Sequence, residues 1–465
     1  MVRRTLSGFE RLVVEAALAG EELADVEDAP DEERVIDGGL VREILSGIYG
    51  PPHWRGLRVS GITIRGDVDL SYCEWRGRLQ LDDCTILGDV DLTYARGSGQ
   101  IVLDRSTMGS VVAANCELTG SLQIRRATVA GGFSGVGMSV AGVLNLDRST
   151  FRAPADFPNR SAVGLYRAKL DDLYMTRTTL EGGLFANGVT VRRNVRLSGV
   201  RAQTRDALDL ETGPDTGSGA AISLVGAEVG GAIYLYSEAL ATDPPDLQGT
   251  LNLNRVRCST LRARPVDFAS LHVTVDHLSY ERLHGMTPRE WLDVLERTEN
   301  LETQPYRQLA AVCDAVGNFS DARTTRIALQ RRLDRDGELR GWHAVQRKLL
   351  RWSVAYGYRP GRAVVGLVLV SAIAAAILIA FDDFMVASDS VRGSGRGFES
   401  AVDAATFALD SLVPFAQLEV TSRWTTDPDG GMQFAALTLF VLLKGVAWAL
   451  AALALAATTG LVRNE

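Results

Sequence analysis

Apolar and small residues recur every 11 positions along the stretch from Gly66 to Arg152. Aligned on glycine, the first lines read GDVDLSYCEWR from Gly66, GRLQLDDCTIL from Gly77 and GDVDLTYARGS from Gly88. One 10-residue line and four further 11-residue lines follow directly. Self-similarity at a fixed period is the signature of a repeat architecture, so this region is predicted to be an array of stacked units rather than a globular core.

Within a line, the third, fifth, eighth and tenth positions are apolar or small, as in Val68, Leu70, Cys73 and Trp75. Residues two apart on an extended segment point to the same face. Each line therefore supplies two short strands, and two lines supply four. The pattern predicts a right-handed quadrilateral β-helix with an 11/22-residue period. From residue 57 to residue 275 it would make roughly ten turns, or a rod of about 45 to 50 Å.

The period is interrupted twice. APADFPN follows Phe151, after which the register returns at Leu173, Leu184 and Val195, and ETGPDTGSGA begins at Glu211. We expect these insertions to be loops on the surface of the solenoid.

Lines such as LRVSGITIRGDVDLSYCEWRG and LQLDDCTILGDVDLTYA resemble the pentapeptide-repeat family, with one extra residue at alternate corners. They look particularly like actinobacterial membrane-associated members with a C-terminal two-helix membrane module. The resemblance covers roughly half the chain in the repeat and continues into the C-terminal third. It implies a scaffold without one shared activity, although some relatives are loosely labelled oxidoreductases.

Helical patterns replace the repeat after residue 275. Thr287, Pro288 and Glu290 form the signature of a helix start with a capping box. Two amphipathic stretches joined at Gly317 and Asn318 resemble one tetratricopeptide-like hairpin. The predicted domains are an N-terminal helical cap (1–56), the solenoid (57–275), a helical linker with that hairpin (276–345) and a membrane module (346–465).

The membrane module contains two long apolar stretches, residues 363–381 and 434–462, each long enough to span the hydrocarbon core. An amphipathic or re-entrant loop helix is predicted between them at 398–413, ending before Pro414. Its expected apolar positions are Phe398, Val402, Ala405, Phe407, Leu409 and Leu412. The residues after it, PFAQLE, do not match a potassium-type filter, so the likeness to ion channels is one of topology only.

Charge predicts the orientation of this module. The segment connecting the two apolar stretches carries 9 acidic and 3 basic residues, whereas basic residues precede the first stretch and Arg463 follows the second. Both termini are thus expected to be cytoplasmic and the protein a multi-pass protein of the inner (plasma) membrane. The basic residues are also candidates for binding lipid headgroups, and they are Arg347, Lys348, Arg351, Arg359 and Arg362.

Two residues of the second span, Lys444 and Trp448, are the candidate functional residues in the membrane. A cation within an apolar span is costly and usually faces protein, water or a ligand. The alternative is that Lys444 snorkels to the interface. Small residues, including Gly366, Ser371 and Gly445, favour close helix contacts and a homo-oligomer.

Candidate chemistry elsewhere is sparse. Four of the five cysteines occupy small interior repeat positions and are predicted to be packing residues. His272, His277 and His284 do not have the spacing of a metal motif, and the Gly-rich runs at Gly131 and Gly393 do not open a nucleotide-binding helix. We predict no metal, no cofactor and no catalytic residue, and we assign no cofactor-binding residue.

The charge balance of the solenoid, 23 acidic and 23 basic residues in 57–275, argues against a nucleic-acid mimic and against nucleic acid as a partner. The leading hypothesis is a non-catalytic membrane-anchored scaffold or sensor. Its partners would be membrane lipid, further copies of the chain in a channel-like oligomer, and an unidentified protein at the solenoid surface. The alternative is a membrane-associated oxidoreductase-type enzyme with a site in the irregular turns between Phe151 and Ala220.

Overall fold

The computed structural model describes residues 5–23, 34–154, 161–203, 220–236, 246–269, 271–298, 302–336, 361–381, 385–387, 400–413, 421, 424–426 and 431–458. The chain forms two compact units, Met1–Thr325 and Arg326–Glu465. The predicted insertion loops at 153–159 and 211–220 lie almost entirely outside the described residues.

The described helices are α1 (Gly8–Ala19), α2 (Gly38–Leu45), α3 (Pro288–Arg297), α4 (Gln304–Ala315), α5 (Phe319–Asp336), α6 (Gly361–Ala380), α7 (Ala401–Leu412) and α8 (Gly431–Thr458).

The strands of the first half are β1 (Val35–Asp37), β2 (Leu57–Ser60), β3 (Thr63–Arg65), β4 (Val68–Asp69), β5 (Glu74–Trp75), β6 (Leu79–Asp82), β7 (Thr85–Ile86), β8 (Val90–Asp91), β9 (Arg96–Gly97), β10 (Ile101–Val102), β11 (Thr107–Met108), β12 (Val111–Val112), β13 (Glu117–Leu118), β14 (Leu122–Gln123), β15 (Thr128–Val129) and β16 (Phe133–Ser134).

Those of the second half are β17 (Ser139–Asn145), β18 (Thr150–Arg152), β19 (Val163–Gly164), β20 (Lys169–Tyr174), β21 (Thr179–Glu181), β22 (Leu184–Phe185), β23 (Thr190–Val191), β24 (Val195–Arg196), β25 (Arg201–Gln203), β26 (Ala220–Ser223), β27 (Glu228–Tyr234), β28 (Asp246–Asn252), β29 (Arg257–Arg262), β30 (Leu271–Thr274), β31 (Ser279–His284), β32 (Met385–Ala387) and β33 (Trp424–Thr426).

Strands β1 to β31 form one 17-stranded and one 14-stranded stacked sheet of parallel strands, which is a solenoid-like arrangement. Each strand pairs with the one that follows a turn later. Leu57 is opposite Leu79, and Val68 is opposite Val90, each pair 22 residues apart. The insertions lengthen this separation but keep the pairing, since Leu184 is opposite Ile222.

The interior is built from columns of apolar side chains that stack from turn to turn. One such column is buried along its whole length: Val68, Val90, Val111, Phe133, Val163, Leu184, Ile222, Leu251 and Val273. Glycine at the start of a line allows this stacking, because a Cβ on Gly99 would lie 1.9 Å from the carbonyl oxygen of Gly77.

The corners also recur every 11 residues. Tyr72, Asp83, Tyr94 and Arg105 each have a left-handed backbone with φ of 55° or 56°. This conformation is uncommon for non-glycine residues. Here neighbouring turns fix it through backbone hydrogen bonds, such as the one that Tyr72 N donates to Thr93 O at 2.9 Å.

The stacked strands extend beyond the predicted boundaries at both ends. Strand β1 lies inside the predicted helical cap and pairs with β3, so that cap is not purely helical. At the other end, β31 pairs with β29 and extends the array to His284, past the expected limit at residue 275. Sequence periodicity missed both strands because each contributes to a turn that has no complete line.

Helix α4 covers the last strand. Gln304 Nε2 donates to Leu278 O at 3.2 Å, and Gln308 Nε2 donates to Tyr280 O at 2.6 Å. Helix α3 begins with the predicted capping box between Thr287 and Glu290. An uncovered strand edge would be open to pairing with other chains, so these amide side chains protect the end of the array.

In the second unit, the two long apolar helices run antiparallel. Ala363, near the start of α6, packs against Leu453 and Ala454, near the end of α8. Helix α7 packs on both, and Phe407 stacks on Phe440 with ring centroids 6.2 Å apart. The antiparallel pair β32–β33 joins two segments of the connection between α6 and α8.

Candidate functional site

The irregular region between Phe151 and Ala220 contains a cluster of carboxylates and guanidinium groups. Asp171 and Asp172, in β20, are 6% and 1% exposed. Arg192 pairs with Asp171, while Arg193 reaches Asp171 at 2.7 Å and Asp172 at 2.6 Å. The hydrogen bond from Arg192 lowers the pKa of Asp171. Each acid is therefore satisfied by a cation of the following turn, which is the behaviour of a structural ion-pair cluster.

Asp172 also accepts the backbone N–H of Asn194 at 3.0 Å. The cluster lies where the pairing of β17 with β20 shifts its register, between Val140 and Val143. The extra residue of this bulge brings two successive acids into the stack. The cluster is thus explained by the bulge and supplies no argument for the oxidoreductase alternative.

All five cysteines are buried and none forms a disulfide, as expected for packing residues. The three histidines lie on different segments. His272 is in β30, His284 is in β31, and His277 is at a corner, where its Nδ1 is 2.7 Å from Asp276 Oδ1. Among the described residues, no group of His, Cys, Asp and Glu side chains could hold a metal ion.

The Gly-rich run at Gly131 is a packing feature. A Cβ on Gly131 would lie 2.9 Å from Ser110 Cβ in the preceding turn. The second run, at Gly393, lies outside the described residues.

A polar cleft of about 300 Å³ lies on one corner of the solenoid. Arg125 binds both oxygens of Asp104 through its backbone N–H and guanidinium, and Arg105 binds Asp82 at 2.6 Å. Arg126 and Arg148 add two further cations. Acids and bases alternate closely here, and the cleft has the character of a surface ion-pair network.

Tyrosine and arginine alternate down one outward column of the 14-stranded sheet. Tyr174, Arg196, Tyr234 and Arg262 occupy opposite positions in β20, β24, β27 and β29. Arg196 lies 4.6 Å from the Tyr174 ring centroid and 5.4 Å from that of Tyr234, and Arg262 lies 5.1 Å from Tyr234. Each guanidinium is thereby held against an aromatic face.

This column ends in a groove of about 550 Å³ between the last three strands of the sheet and helix α4. The strand side carries Tyr234, Arg262, Arg282 and His284. The other side is apolar, and its members are Met286, Pro288, Leu309, Val312, Cys313 and Val316. No carboxylate is present among the described residues that line the groove.

Sequence reasoning missed this groove. Arg196, Tyr234 and Arg262 are opposite each other in the sheet, but the insertion after residue 203 and the irregular lines that follow separate them by unequal numbers of residues. A fixed 22-residue period does not align them. The only sequence signal was the alternation of Tyr and Arg at the fourth-from-last strands, and it appears only once the register is known.

Two helices of the second unit are long and apolar enough to cross a membrane: α6 over Gly361–Ala380, with mean hydropathy 2.8, and α8 over Phe434–Ala456, with mean hydropathy 2.2. Only 22% of each span is buried. Large apolar side chains such as Val365 (64% exposed), Val368 (64%) and Leu442 (63%) point away from the unit. A core helix of a soluble protein would bury most of these residues.

The loop helix predicted at 398–413 is present as α7, but its apolar face was predicted wrongly. Its buried residues are Ala404, Phe407, Ala408, Ser411 and Leu412. Val402 is 69% exposed and Leu409 is 42% exposed. The buried set follows helical spacing, i, i+3, i+4, i+7 and i+8, whereas the predicted set included positions from the opposite side.

Lys444 and Trp448 are one helical turn apart and exposed on α8. Lys444 is ten residues from Phe434 and twelve from Ala456, so it lies about 15 and 18 Å from the ends of the apolar span at a rise of ~1.5 Å per residue. The prediction that snorkelling could begin from a span starting near Phe440 does not fit this helix, because α8 begins at Gly431.

Of the candidate lipid-headgroup residues, Arg362 is exposed in the first turn of α6. The other four, Arg347, Lys348, Arg351 and Arg359, lie outside the described residues. The structure therefore places one member of the set at the end of an apolar helix.

A scan against protein-family models, a search of curated proteins and a search of solved structures found no match to this chain. The functional argument therefore depends on the geometry of the chain itself.

Proposed function

We propose that this chain is a non-catalytic, membrane-anchored scaffold or sensor in which stacked strands form a cytoplasmic platform and α6 and α8 cross the inner membrane. The observation that supports it best is the exposure of the two apolar helices, each only 22% buried. Their outward side chains need an apolar surrounding, which a bilayer supplies.

We infer that the platform is a right-handed quadrilateral β-helix of the pentapeptide-repeat type. The corners at Tyr72, Asp83, Tyr94 and Arg105, each 11 residues after the last, support this assignment. So do the two alternating sets of parallel pairings within each 22-residue turn. A rigid array of this kind presents fixed outward columns to a protein partner.

The proposed orientation places both termini in the cytoplasm. The connection between α6 and α8 carries 9 acidic and 3 basic residues, whereas Arg362 precedes the first span and Arg463 follows the second. An excess of Arg and Lys marks cytoplasmic flanks.

We propose further that the membrane module is a homo-oligomer with Lys444 in its interior. The hydrocarbon core is about 30 Å thick, so the position of Lys444 within the Phe434–Ala456 span puts its Cα near the midplane. Its four-carbon stem covers only part of the distance to either interface. Contact with a second copy or with a water-filled pathway removes the cost of exposing this charge to lipid.

Reconstitution tests this module. The full chain is placed in planar bilayers, and its stoichiometry is measured by cross-linking in vesicles of the same lipid. A pore with a ring of lysines should conduct anions in preference to cations. Lys444→Leu should abolish that preference, and Lys444→Arg should keep it.

The matched control is Val441→Ala, which alters a neighbouring exposed position of α8 without a change of charge. A monomeric chain that carries no current would reject the oligomeric pore and leave a simple anchor. Release of the chain from native membranes by alkaline carbonate would reject the anchor as well.

A further inference from the structure

The groove beside α4 combines an unneutralised basic wall with an apolar wall. Arg262 and Arg282 form no ion pair among the described residues, although both lie on outward positions of adjacent strands. Neighbouring strands are about 4.8 Å apart. Two cations so close together repel each other, and an anion between them would relieve that repulsion.

The basic wall is also held in place before any ligand arrives. Arg262 lies against the ring of Tyr234, with 5.1 Å between the guanidinium carbon and the ring centroid. Arg196 lies against the other neighbour of that ring in the column, at 5.4 Å. A guanidinium that is already oriented loses less conformational entropy when it forms hydrogen bonds to an anion.

The opposite wall is suited to a hydrocarbon. Val316, at the end of α4, is 68% exposed, and Val312 and Leu309 line the same side. The volume of about 550 Å³ falls within the range of small-molecule sites, roughly 300 to 1,000 Å³. It therefore fits a compact ligand with one anionic end and an apolar body.

We propose that this groove binds a single-chain amphiphile with an anionic headgroup, of the fatty-acid class. The carboxylate is held by Arg262 and Arg282, and the acyl chain lies along Leu309, Val312 and Val316. This inference goes beyond the proposed scaffold function and does not depend on the membrane module, since every described lining residue belongs to the unit Met1–Thr325.

Photo-cross-linking on the full chain tests it. The protein is reconstituted in nanodiscs of zwitterionic phosphatidylcholine and exposed to palmitate that carries a diazirine in its acyl chain. The expected result is labelling of the peptides that span 282–286 and 309–316. Labelling should be displaced by unmodified palmitate.

Charge and shape are then varied separately. Arg262→Gln with Arg282→Gln should reduce labelling at a subsaturating probe concentration by at least about tenfold, because each removed hydrogen bond to a charged group is a strong one. Val316→Trp should reduce it with both arginines present. The control pair, Arg201→Gln with Arg257→Gln, removes the same charge from outward strand positions outside the groove and should leave labelling unchanged.

Three results would overturn the proposal. The first is equal labelling of the wild-type chain and the Arg262/Arg282 variant. The second is equal labelling by a lysophosphatidylcholine with the same diazirine chain, which would show that the anionic head is not recognised. The third is displacement of the probe by an acidic amphipathic peptide but not by palmitate, which would assign the groove to a protein partner.

Discussion

The hydrogen bond between Trp291 and Tyr280 is expected to control how firmly the helical cap closes the end of the stacked strands. Trp291 is 0% exposed, and its Nε1–H donates to the Tyr280 hydroxyl at 2.9 Å. Phe268 packs on the indole, with ring centroids 5.4 Å apart. Burial raises the pKa of Tyr280 well above its usual range, so the hydroxyl stays protonated and dependent on protein partners.

Trp291→Phe removes the donor and leaves the buried hydroxyl of Tyr280 without it. An unsatisfied buried polar group costs about 1 to 3 kcal/mol. Tyr280→Phe should cost a similar amount, since it leaves the indole N–H unpaired. The double variant removes both polar groups, so its cost should be lower than the sum of the single costs by about 1 to 3 kcal/mol.

Hydrogen–deuterium exchange of the full chain in nanodiscs measures this locally. In the regime where exchange reports the equilibrium opening, 1 to 3 kcal/mol corresponds to amide exchange about 5 to 150 times faster in β31 and α4. Peptides of α1, at the opposite end of the array, provide the internal control and should not change. Additive effects, with a coupling below about 0.5 kcal/mol, would refute the reasoning.

Two further predictions concern pH and topology. Burial raises the pKa of the thiols of Cys84, Cys116 and Cys258 to about 12, from an ordinary value of 9.0. The unfolded thiols ionise first, so the stability they contribute is complete below pH 9.0 and falls as the pH rises towards 12. The thermal unfolding midpoint of the wild type should therefore decline more steeply from pH 9 to pH 11 than that of the triple Cys→Ala variant, and parallel declines would contradict this. For topology, a membrane-impermeant maleimide added to intact cells should label Ser394→Cys, in the connection between α6 and α8, and should not label Ser98→Cys, an exposed solenoid position, until the membrane is opened. The reverse pattern would invert the proposed orientation.

Much of the solenoid could be predicted from sequence because its period comes from backbone geometry. A two-residue alternation places Val68 and Leu70 on the same face, and both are buried. The same reasoning placed Cys84 and Cys116 in the interior, where the structure has them. These inferences need only the local rule that alternate side chains share a face.

Features that depend on register across insertions could not be predicted in this way. Tyr234 and Arg262 are adjacent in space because β27 pairs with β29, and the number of residues between them is set by an irregular connection. The buried face of α7 was missed for a related reason. Phe407 and Ala408 are buried because α7 packs against two other helices, one of which contributes Phe440, and the local sequence contains no information on that packing.

The two kinds of outward column show where binding can be added to such a scaffold. Thr63, Thr85, Thr107, Thr128 and Thr150 occupy opposite positions on successive turns. β-Branched neighbours of this kind stabilise stacked strands, and their uniformity offers no distinct site. The Tyr–Arg column differs because unlike side chains alternate, so each turn places a cation beside an aromatic ring. Where that column meets α4, the strands stop adding neighbours and the last cations remain accessible. A solenoid can therefore gain a ligand site at its capped end without any disturbance of its interior columns, which is why we expect the groove variants to alter binding and the cap variants to alter stability.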